Sequence, residues 1–482
     1  MNIKNKNLFI NKCYVDGSWV GSEKMIKVFN PATGNLISEL PNFGKKETAN
    51  AIDAAEVAFR SWSKLTAHER SKILKKWYDL VIEYQDDLAT IMTTEQGKPL
   101  SESKGEIVYA ANFIEWFAEE AKRVYGEVFP DPIKDKRMVT LKQPIGVCAA
   151  ITPWNFPAAM ITRKCAPGLA VGCTFVIKPA EQTPLTAIAF VVLAEKAGFP
   201  KGVINIITGD PEEIGKEITS NPKVRKISFT GSTAVGRILM EQSASTIKKL
   251  SLELGGNAPF IVFDDCDLDA AVEGLMLGKF RNTGQVCVSP NRIYVQEKIY
   301  DVFVKKIVDV VKKLKMGDGL KDDIQLGPLI DDAAITKVEE HIKDAVQKGA
   351  KIELGGKRHM LGGRFYEPTV LANVNKSMKL ANEETFGPVA PFFKFKTEGE
   401  VIEFANNTEF GLAAYFFSKD IARIWRVAEA IEVGMVGINT GIFASAYMPF
   451  GGIKQSGIGR EGAKYGMEEY LVLKTLSFGN IK

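Results

Sequence analysis

The sequence predicts an α/β protein, in which a parallel β-sheet covered by helices is followed by a second alternating α/β region. Three observations predict it. Short apolar, β-branched runs recur in the first half: GVCAAIT, TFVIK, GVINIIT, VRKISFT and KKLSLEL. Segments of helical character, TPLTAIAFVVLAEKAG, EEIGKEITS and TAVGRILMEQSAS, separate the last four of them, and that strand–helix rhythm belongs to parallel sheets. A second alternation starts at Ala258 with PFIVFDD, passes through a helix ending at Phe280, NRIYVQ and a Lys-rich helix, and continues to about Gly437.

Before the first sheet, the stretch from about Lys46 to Gln96 carries apolar residues at three- and four-residue spacing, which predicts helix. QGKP (Gln96–Pro99) breaks that pattern and SESKGEIVYAANFIEWFAEEAKRVYG resumes it. The region from Gly126 to Gln143, with KRMVTLKQP, and the closing EEYLVLKTLSF read as strands outside both sheets, as an intersubunit sheet would need. No internal repeat or low-complexity linker is present. Ligands of parallel sheets sit at the carboxyl ends of the strands, and here those ends carry TPWN, KPAE, TGDP, FTGS and ELGG.

Composition removes several classes of function. The 482 residues suffice for more than one core, and 45% apolar with 25% charged residues is ordinary for a globular protein. Sixty-two basic against 58 acidic residues leave +4, interspersed along the chain, so nothing favours nucleic acid or a membrane surface. MNIKNKNLFINKCYVDG lacks the apolar region of a secretory signal, and no run is long enough to span a bilayer. Six cysteines without a CxxC pair point to reduced thiols in the cytoplasm. The three histidines, His68, His341 and His359, form no metal-type cluster and no Ser–His–Asp setting, so no metal is expected. Chemistry is left to Cys, Glu, Lys and Asn.

GIGREG (Gly457–Gly462) is formally GxGxxG, but no strand precedes it and the chain ends too soon for a βαβ unit. It reads as loop or helix-start glycine. FTGSTAVG (Phe229–Gly236) follows a strand and opens a helix. It fits a phosphate held by free N–H groups and equally a helix capped by Ser232 or Thr233. Lys178 and Glu181 of KPAEQTP suit a cofactor ribose, or a solvated turn. In ITPWNFP two prolines hold Asn155, as an oxyanion donor requires, though turns favour Asn too. Glu253 sits among apolar residues in LELGGNAP, where a carboxylate gains the raised pKa of a general base. For Cys287 in FRNTGQVCVSPNR, burial alone accounts for a free cysteine; the polar Thr-Gly-Gln before it suits a reactive thiol. A thiol, a carboxylate, an amide and phosphate-type loops near one strand-end face together describe covalent catalysis with a bound dinucleotide.

PWNFP, KPAEQTP, FTGS, LELGG, GQVC, EETFGP and PFGGIKQSGIGREG, in this order and spacing, resemble the aldehyde dehydrogenase superfamily over nearly the whole chain. TLKQPIGVCAAITPWNFPAAMITRKCAP, KFRNTGQVC, GDGLKDDIQLGPLID and KQSGIGREGAKYGMEEYLVLK look most like its succinate-semialdehyde dehydrogenase branch. The resemblance implies an aldehyde dehydrogenase-like fold. It comprises a Rossmann-like NAD-binding domain (1–125 and 145–254), an α/β catalytic domain (255–455) and a small β oligomerisation arm (126–144 and 471–482). A connecting helix (456–470) would pack back on the NAD-binding domain. A homodimer or homotetramer is implied.

Carried over motif by motif, Cys287 is the nucleophile that forms a thiohemiacetal and then a thioester. The Asn155 amide and the Cys287 N–H hold the oxyanion, and Glu253 activates water. Lys178 and Glu384 join this catalytic set. Cofactor contacts are implied at Ile151, Thr152, Pro153 and Trp154, at Lys178, Ala180 and Glu181, and at Gly209. Further ones are Phe229, Thr230, Gly231, Ser232 and Val235, then Glu253, Leu254 and Gly255, and finally Glu384 and Phe386. The charge on Glu181 would repel a 2′-phosphate, so NAD is expected over NADP.

Arg163 and Arg281 suit a grip on a distal carboxylate, with pairing to a nearby acid as the plainer alternative. Ser445 in GIFASAYMPFGG is the matching third member, although Tyr447 and Met448 give that segment its own character. The expected reaction is succinate semialdehyde to succinate. The alternatives are 2-oxoglutarate semialdehyde, glutarate semialdehyde and lactaldehyde. A thiol esterase or a catalytically silent binding protein on the same scaffold are the rivals from other classes. Ser289 stands where related enzymes carry a second cysteine, so a disulfide switch with Cys287 is not expected, and Glu253 argues against the CoA-acylating branch.

Overall fold

A computed structural model describes residues 2–481. In the first sheet the strands lie in the order Ser18–Val20, Cys13–Val15, Ile204–Ile206, Thr174–Lys178, Val147–Ile151, Val224–Thr230, Lys249–Glu253 and Gly457–Ile458. The five from Ile204–Ile206 to Lys249–Glu253 are parallel. They are the runs expected from the sequence, and they are largely buried because helices cover both faces. Side chains alternate across the sheet: Cys148 and Ala150 enter one core with Trp62, Trp77 and Phe113, while Val147 and Ala149 enter another with Ile52 and Ile214.

The chain runs outward from Val147–Ile151 to Ile204–Ile206, then returns to start again at Val224–Thr230 on the other side. The order therefore reverses between Val147–Ile151 and Val224–Thr230, and a crevice opens outside their carboxyl ends. The helical region splits into Lys45–Trp62, Ala67–Glu83 and Gln85–Gln96. Gly97, at φ +95, stops it in a left-handed conformation that favours glycine, and Leu100–Glu120 follows.

The second sheet has the order Lys351–Leu354, Thr369–Ala372, Val389–Phe395, Pro290–Gln296, Ala258–Val262, Ala413–Phe417 and Met435–Ile438. All neighbours are parallel except the antiparallel edge strand Lys351–Leu354. Glu127–Phe129, Arg137–Pro144 and Leu471–Phe478 form a separate three-stranded antiparallel sheet, with Leu473 and Val128 exposed.

One expectation is corrected. The segment 456–470 is helical only over Ala463–Glu468. Ahead of it, Gly457–Ile458 closes the first sheet antiparallel to Leu252–Glu253. The glycine permits this. At φ +132 it lies so close to the neighbouring strand that a Cβ would fall 1.8 Å from the Leu252 carbonyl oxygen. GIGREG is thus an edge strand and a helix start, not a phosphate loop.

Candidate active site

The crevice is furnished by strand exits. After Val147–Ile151 the chain turns through Thr152–Pro157, and Asn155 is buried there. One N–H of its side-chain amide donates to the Gln285 carbonyl at 3.0 Å, which leaves the second N–H of that group free. After Val224–Thr230, Ser232 caps the helix Thr233–Ser243 by accepting from the Val235 N–H at 3.3 Å. After Lys249–Glu253, Gly256 approaches the Cys287 backbone so closely that a Cβ would meet its carbonyl oxygen at 2.7 Å.

Cys287 is reached through a left-handed stretch at Asn282 (φ 48), Thr283 (φ 56) and Gly284 (φ 76). Such a run is costly for residues with a Cβ, and persists only where the surroundings hold it. Here Thr283 Oγ1 donates to the Gly327 carbonyl and accepts from the Gly327 N–H, both at 3.1 Å. Beyond the cysteine, the Tyr415 hydroxyl donates to the Val288 carbonyl at 2.9 Å.

Two cavities meet at this thiol. One, of ≈ 270 Å³, is lined by Arg163, Arg281, Phe156, Ala444 and Phe450 as well as Cys287. The other, of ≈ 670 Å³, is lined by Trp154, Gly231, Ser232, Gly255, Glu384 and Phe386, and again by Cys287. In the larger one the Trp154 and Phe386 rings stand edge-on at 5.5 Å, and Glu384 Oε1 accepts from the Gly256 N–H at 3.2 Å. Bare backbone at Gly255, an aromatic pair, a carboxylate and a capped helix N-terminus fit a dinucleotide. A Cβ at Gly255 would lie 3.1 Å from Glu384 Oε2, so a side chain there would narrow the passage.

Electrostatics separate the groups. Burial pushes the Cys287 thiol up to about 12 against the pull of Arg163, so the resting sulfur is protonated. Glu253 is raised well above an ordinary carboxylate, first by burial and then by the Glu461 charge. Both of its oxygens are buried without a hydrogen-bond partner. Burial lifts Glu384 to about 7, partly offset by the Gly256 N–H. Glu461 goes the other way: burial would raise it, but Lys164 and Arg163 overcome that and hold it ionised. Lys164 Nζ donates to Glu461 at 2.6 Å and to Thr230 Oγ1 at 2.7 Å, and Arg163 Nε donates to the other Glu461 oxygen.

The aldehyde dehydrogenase family model matches residues 19–476. The chain belongs to the aldehyde dehydrogenase family. It is 59% identical over 483 residues to a glutarate-semialdehyde dehydrogenase of Pseudomonas aeruginosa, with 100% of both chains covered. It is 58% identical over 481 residues to an NADP(+) succinate-semialdehyde dehydrogenase of Escherichia coli, covering 99% of this chain and 100% of that protein. A solved succinate-semialdehyde dehydrogenase from Burkholderia pseudomallei, 59% identical, matches with a TM-score of 0.99 over 99% of this chain and 100% of that one. The fold class and the reaction class expected from the motifs are those of this family, whose members use NAD(P).

Within this aldehyde dehydrogenase the expected residues separate into groups. Pro153, Trp154, Thr230, Gly231, Ser232 and Leu254 line the larger cavity, as do Gly255, Glu384 and Phe386. Ile151, Thr152, Ala180, Phe229, Val235 and Glu253 stand outside its lining. So do Lys178 and Glu181, which pair with each other at the next strand end. Gly209 is accounted for by packing alone, since a Cβ there would fall 2.1 Å from the Phe43 carbonyl oxygen. Arg163 meets both of its readings: Nε pairs with Glu461, while Nη2 is buried without a partner. Arg281 Nε is likewise buried and unpartnered. Ser445 does not line the smaller cavity; its neighbour Ala444 does. Tyr447 turns outward onto Trp116, ring centroids 5.1 Å apart.

Sequence reasoning missed Glu461, hidden in the GIGREG that it set aside. It also missed Lys98, Glu102, Glu106 and Tyr109 on the smaller cavity and Lys337 on the larger. The helix Leu100–Glu120 carried a usable signal: Glu102, Glu106 and Tyr109 recur at i, i+4 and i+7 on one of its faces. Among the described residues no group of His, Cys, Asp or Glu could hold a metal ion, and no helix is long and apolar enough to cross a membrane.

Proposed function

We propose that the protein is an NAD-preferring, non-acylating dehydrogenase of short semialdehydes with a distal carboxylate, succinate semialdehyde first among them. The observation that carries this is the position of Cys287 at the junction of the two cavities, with unpartnered guanidinium N–H groups of Arg163 and Arg281 on the smaller one. A carboxylate is the natural complement of such donors. Glutarate semialdehyde is the second reading. Ala444 takes the lining place that Ser445 was expected to hold, which leaves that wall short, and the Pseudomonas relative carries that name.

In this reading the aldehyde enters the smaller cavity with its carboxylate on Arg281 and Arg163. The Cys287 sulfur must shed its proton as it attacks, because burial keeps it protonated at rest; Glu253, with two unpartnered oxygens, is the acceptor. The free Asn155 N–H and the Cys287 N–H meet the developing oxyanion. A bound nicotinamide supplies the hydride acceptor, for which Glu384, Trp154 and Phe386 form the holding wall. Once Glu253 has passed the thiol proton to solvent, the ionised carboxylate takes a proton from water as that water attacks the Cys287 thioester, and it returns this proton to the departing sulfur as the acid is released.

The half-buried Glu181 carboxylate supports NAD over NADP, although Lys178 offsets part of its charge. Six free cysteines suit a reducing cytoplasm. The unpaired edge of Leu471–Phe478, with Leu473 exposed, suits pairing in a homodimer or homotetramer. The test is NADH formation with succinate and glutarate semialdehydes beside neutral aldehydes of equal length. Preference for the carboxylated pair is expected; preference for the neutral aldehydes would overturn the substrate reading and leave the mechanism standing.

A further inference from the structure

We propose that Lys98 and Glu106 are positioning residues for the chemical step, clamping the segment that aims the Asn155 amide at the oxyanion; this rests on the reading of Asn155 given above. QGKP read in the sequence as a helix break, and nothing in the mechanism uses it. The fold nevertheless brings Lys98 to the wall of the aldehyde cavity. Its ammonium is buried and has three directions to satisfy. It donates to Glu106 Oε2 at 2.5 Å and to the Asn155 main-chain carbonyl at 2.7 Å, and it stands 4.1 Å from the centre of the Phe156 ring.

The partner carboxylate reaches further along the same segment. Glu106 Oε1 accepts from the N–H groups of Ala158 and Ala159 at 3.0 and 3.2 Å, at the start of the buried helix Ala159–Val171. One buried ion pair thus grips residues 155 to 159 from both ends. A second set of bonds ties the grip to the nucleophile loop. Asn282 Nδ2 donates to the Asn155 carbonyl at 3.1 Å and to the Gln285 carbonyl at 3.2 Å, and the Asn155 amide donates to that same Gln285 carbonyl. Gln96 Nε2 holds Asn282 Oδ1 at 3.0 Å, and Gln96 Oε1 accepts from the Lys98 N–H at 2.8 Å.

Taking two charges out of water is expensive, and an apolar pair would hold a helix contact as well. An ion pair here supplies what an apolar pair cannot, two directional ends on one short segment of main chain. An amide displaced by a fraction of an ångström loses its aim at an oxyanion, so the effect belongs in kcat.

The experiment is a double-mutant cycle on the full-length protein, reading kcat, KM for the aldehyde, melting temperature and the rate of Cys287 alkylation by iodoacetamide. Lys98→Met is expected to lower kcat by about 10²-fold, with KM and alkylation within about threefold of wild type. Asn155→Ala should lose at least as much, and Lys98→Met combined with Asn155→Ala should lose little more than Asn155→Ala alone. Should Lys98→Met fail to fold, Lys98→Met with Glu106→Gln removes both charges and runs through the same cycle. Unchanged kcat in the Lys98 variants, or losses that multiply with Asn155→Ala, would overturn the positioning role while leaving the oxyanion reading intact. Unchanged kcat in Asn155→Ala would remove the oxyanion reading and this inference with it.

Discussion

On the larger-cavity side of Cys287 the wall is made of strand exits, glycine backbone, a capped helix and two aromatic rings. On the smaller-cavity side it is made of charged side chains from segments far apart in sequence: Lys98 and Glu106 from one helix region, Arg163 from another, Arg281 beside the nucleophile. Glu461, some three hundred residues after Arg163, neutralises part of that charge from behind. The first wall is the more tolerant, since apart from Glu384 and Lys337 it relies on backbone donors and stacking that need no counter-charge. The second is interdependent, since a buried charge that loses its partner costs about 3–5 kcal/mol. Substitutions on the two sides should therefore fail in different ways.

The largest effect lies at the junction itself. Cys287→Ala should abolish NADH formation, by more than roughly 10⁴-fold, because no other group in either cavity can form the thioester. Dinucleotide binding followed by fluorescence should persist, which separates loss of chemistry from loss of the larger cavity. Glu253→Gln should come next, lowering steady-state turnover by about 10²–10⁴-fold. Its signature is a slower pre-steady-state burst of NADH as well as a slower steady state, because Glu253 takes a proton in both half-reactions. The pH dependence carries a sign. Glu253 serves as base only when ionised, and burial with the Glu461 charge raises its pKa. Turnover limited by thioester hydrolysis should then rise with pH through that raised value and level off above it. The rise should vanish in Glu253→Gln.

The same contrast governs what could be read from the sequence. Strand exits are contiguous stretches with unusual residues, so TPWN, FTGS, ELGG and EETFGP were legible, and most of their expected contacts do line the larger cavity. The first sheet was legible for the same reason, its strands being apolar runs between helical ones. The charged wall was not. Lys98, Glu106 and Glu461 look like solvated residues because charge in a sequence predicts exposure, and only tertiary packing turns them inward. The connecting helix is shorter than expected because the glycines of GIGREG allow an antiparallel edge that periodicity cannot announce.

On the charged wall, Arg281→Ala should lower kcat/KM for succinate semialdehyde by about 10²-fold, the order of a lost charge-assisted hydrogen bond. The loss should fall on KM, and a neutral aldehyde of equal length should change by no more than a fewfold. Equal losses for charged and neutral substrates would mean that Arg281 holds the loop around Phe156, over whose ring it lies at 5.4 Å, and not the substrate.

The smallest effect belongs to the tolerant side. Lys178 and Glu181 pair with each other one strand beyond the larger cavity's lining, with Lys178 buried and Glu181 half-buried. If the adenosine end of the dinucleotide rests on them, the carboxylate faces a 2′-hydroxyl favourably and a 2′-phosphate badly. Glu181→Ala removes the repulsion and releases the Lys178 ammonium to meet a phosphate. The ratio of kcat/KM for NADP to that for NAD should rise about tenfold, about 1.4 kcal/mol. Because the pair touches neither Cys287 nor the aldehyde cavity, kcat with saturating NAD should stay within twofold, roughly the range of a surface substitution remote from the chemistry. A ratio that does not move would put the adenosine elsewhere along the sheet edge, and would make Lys178 and Glu181 an ordinary turn pair.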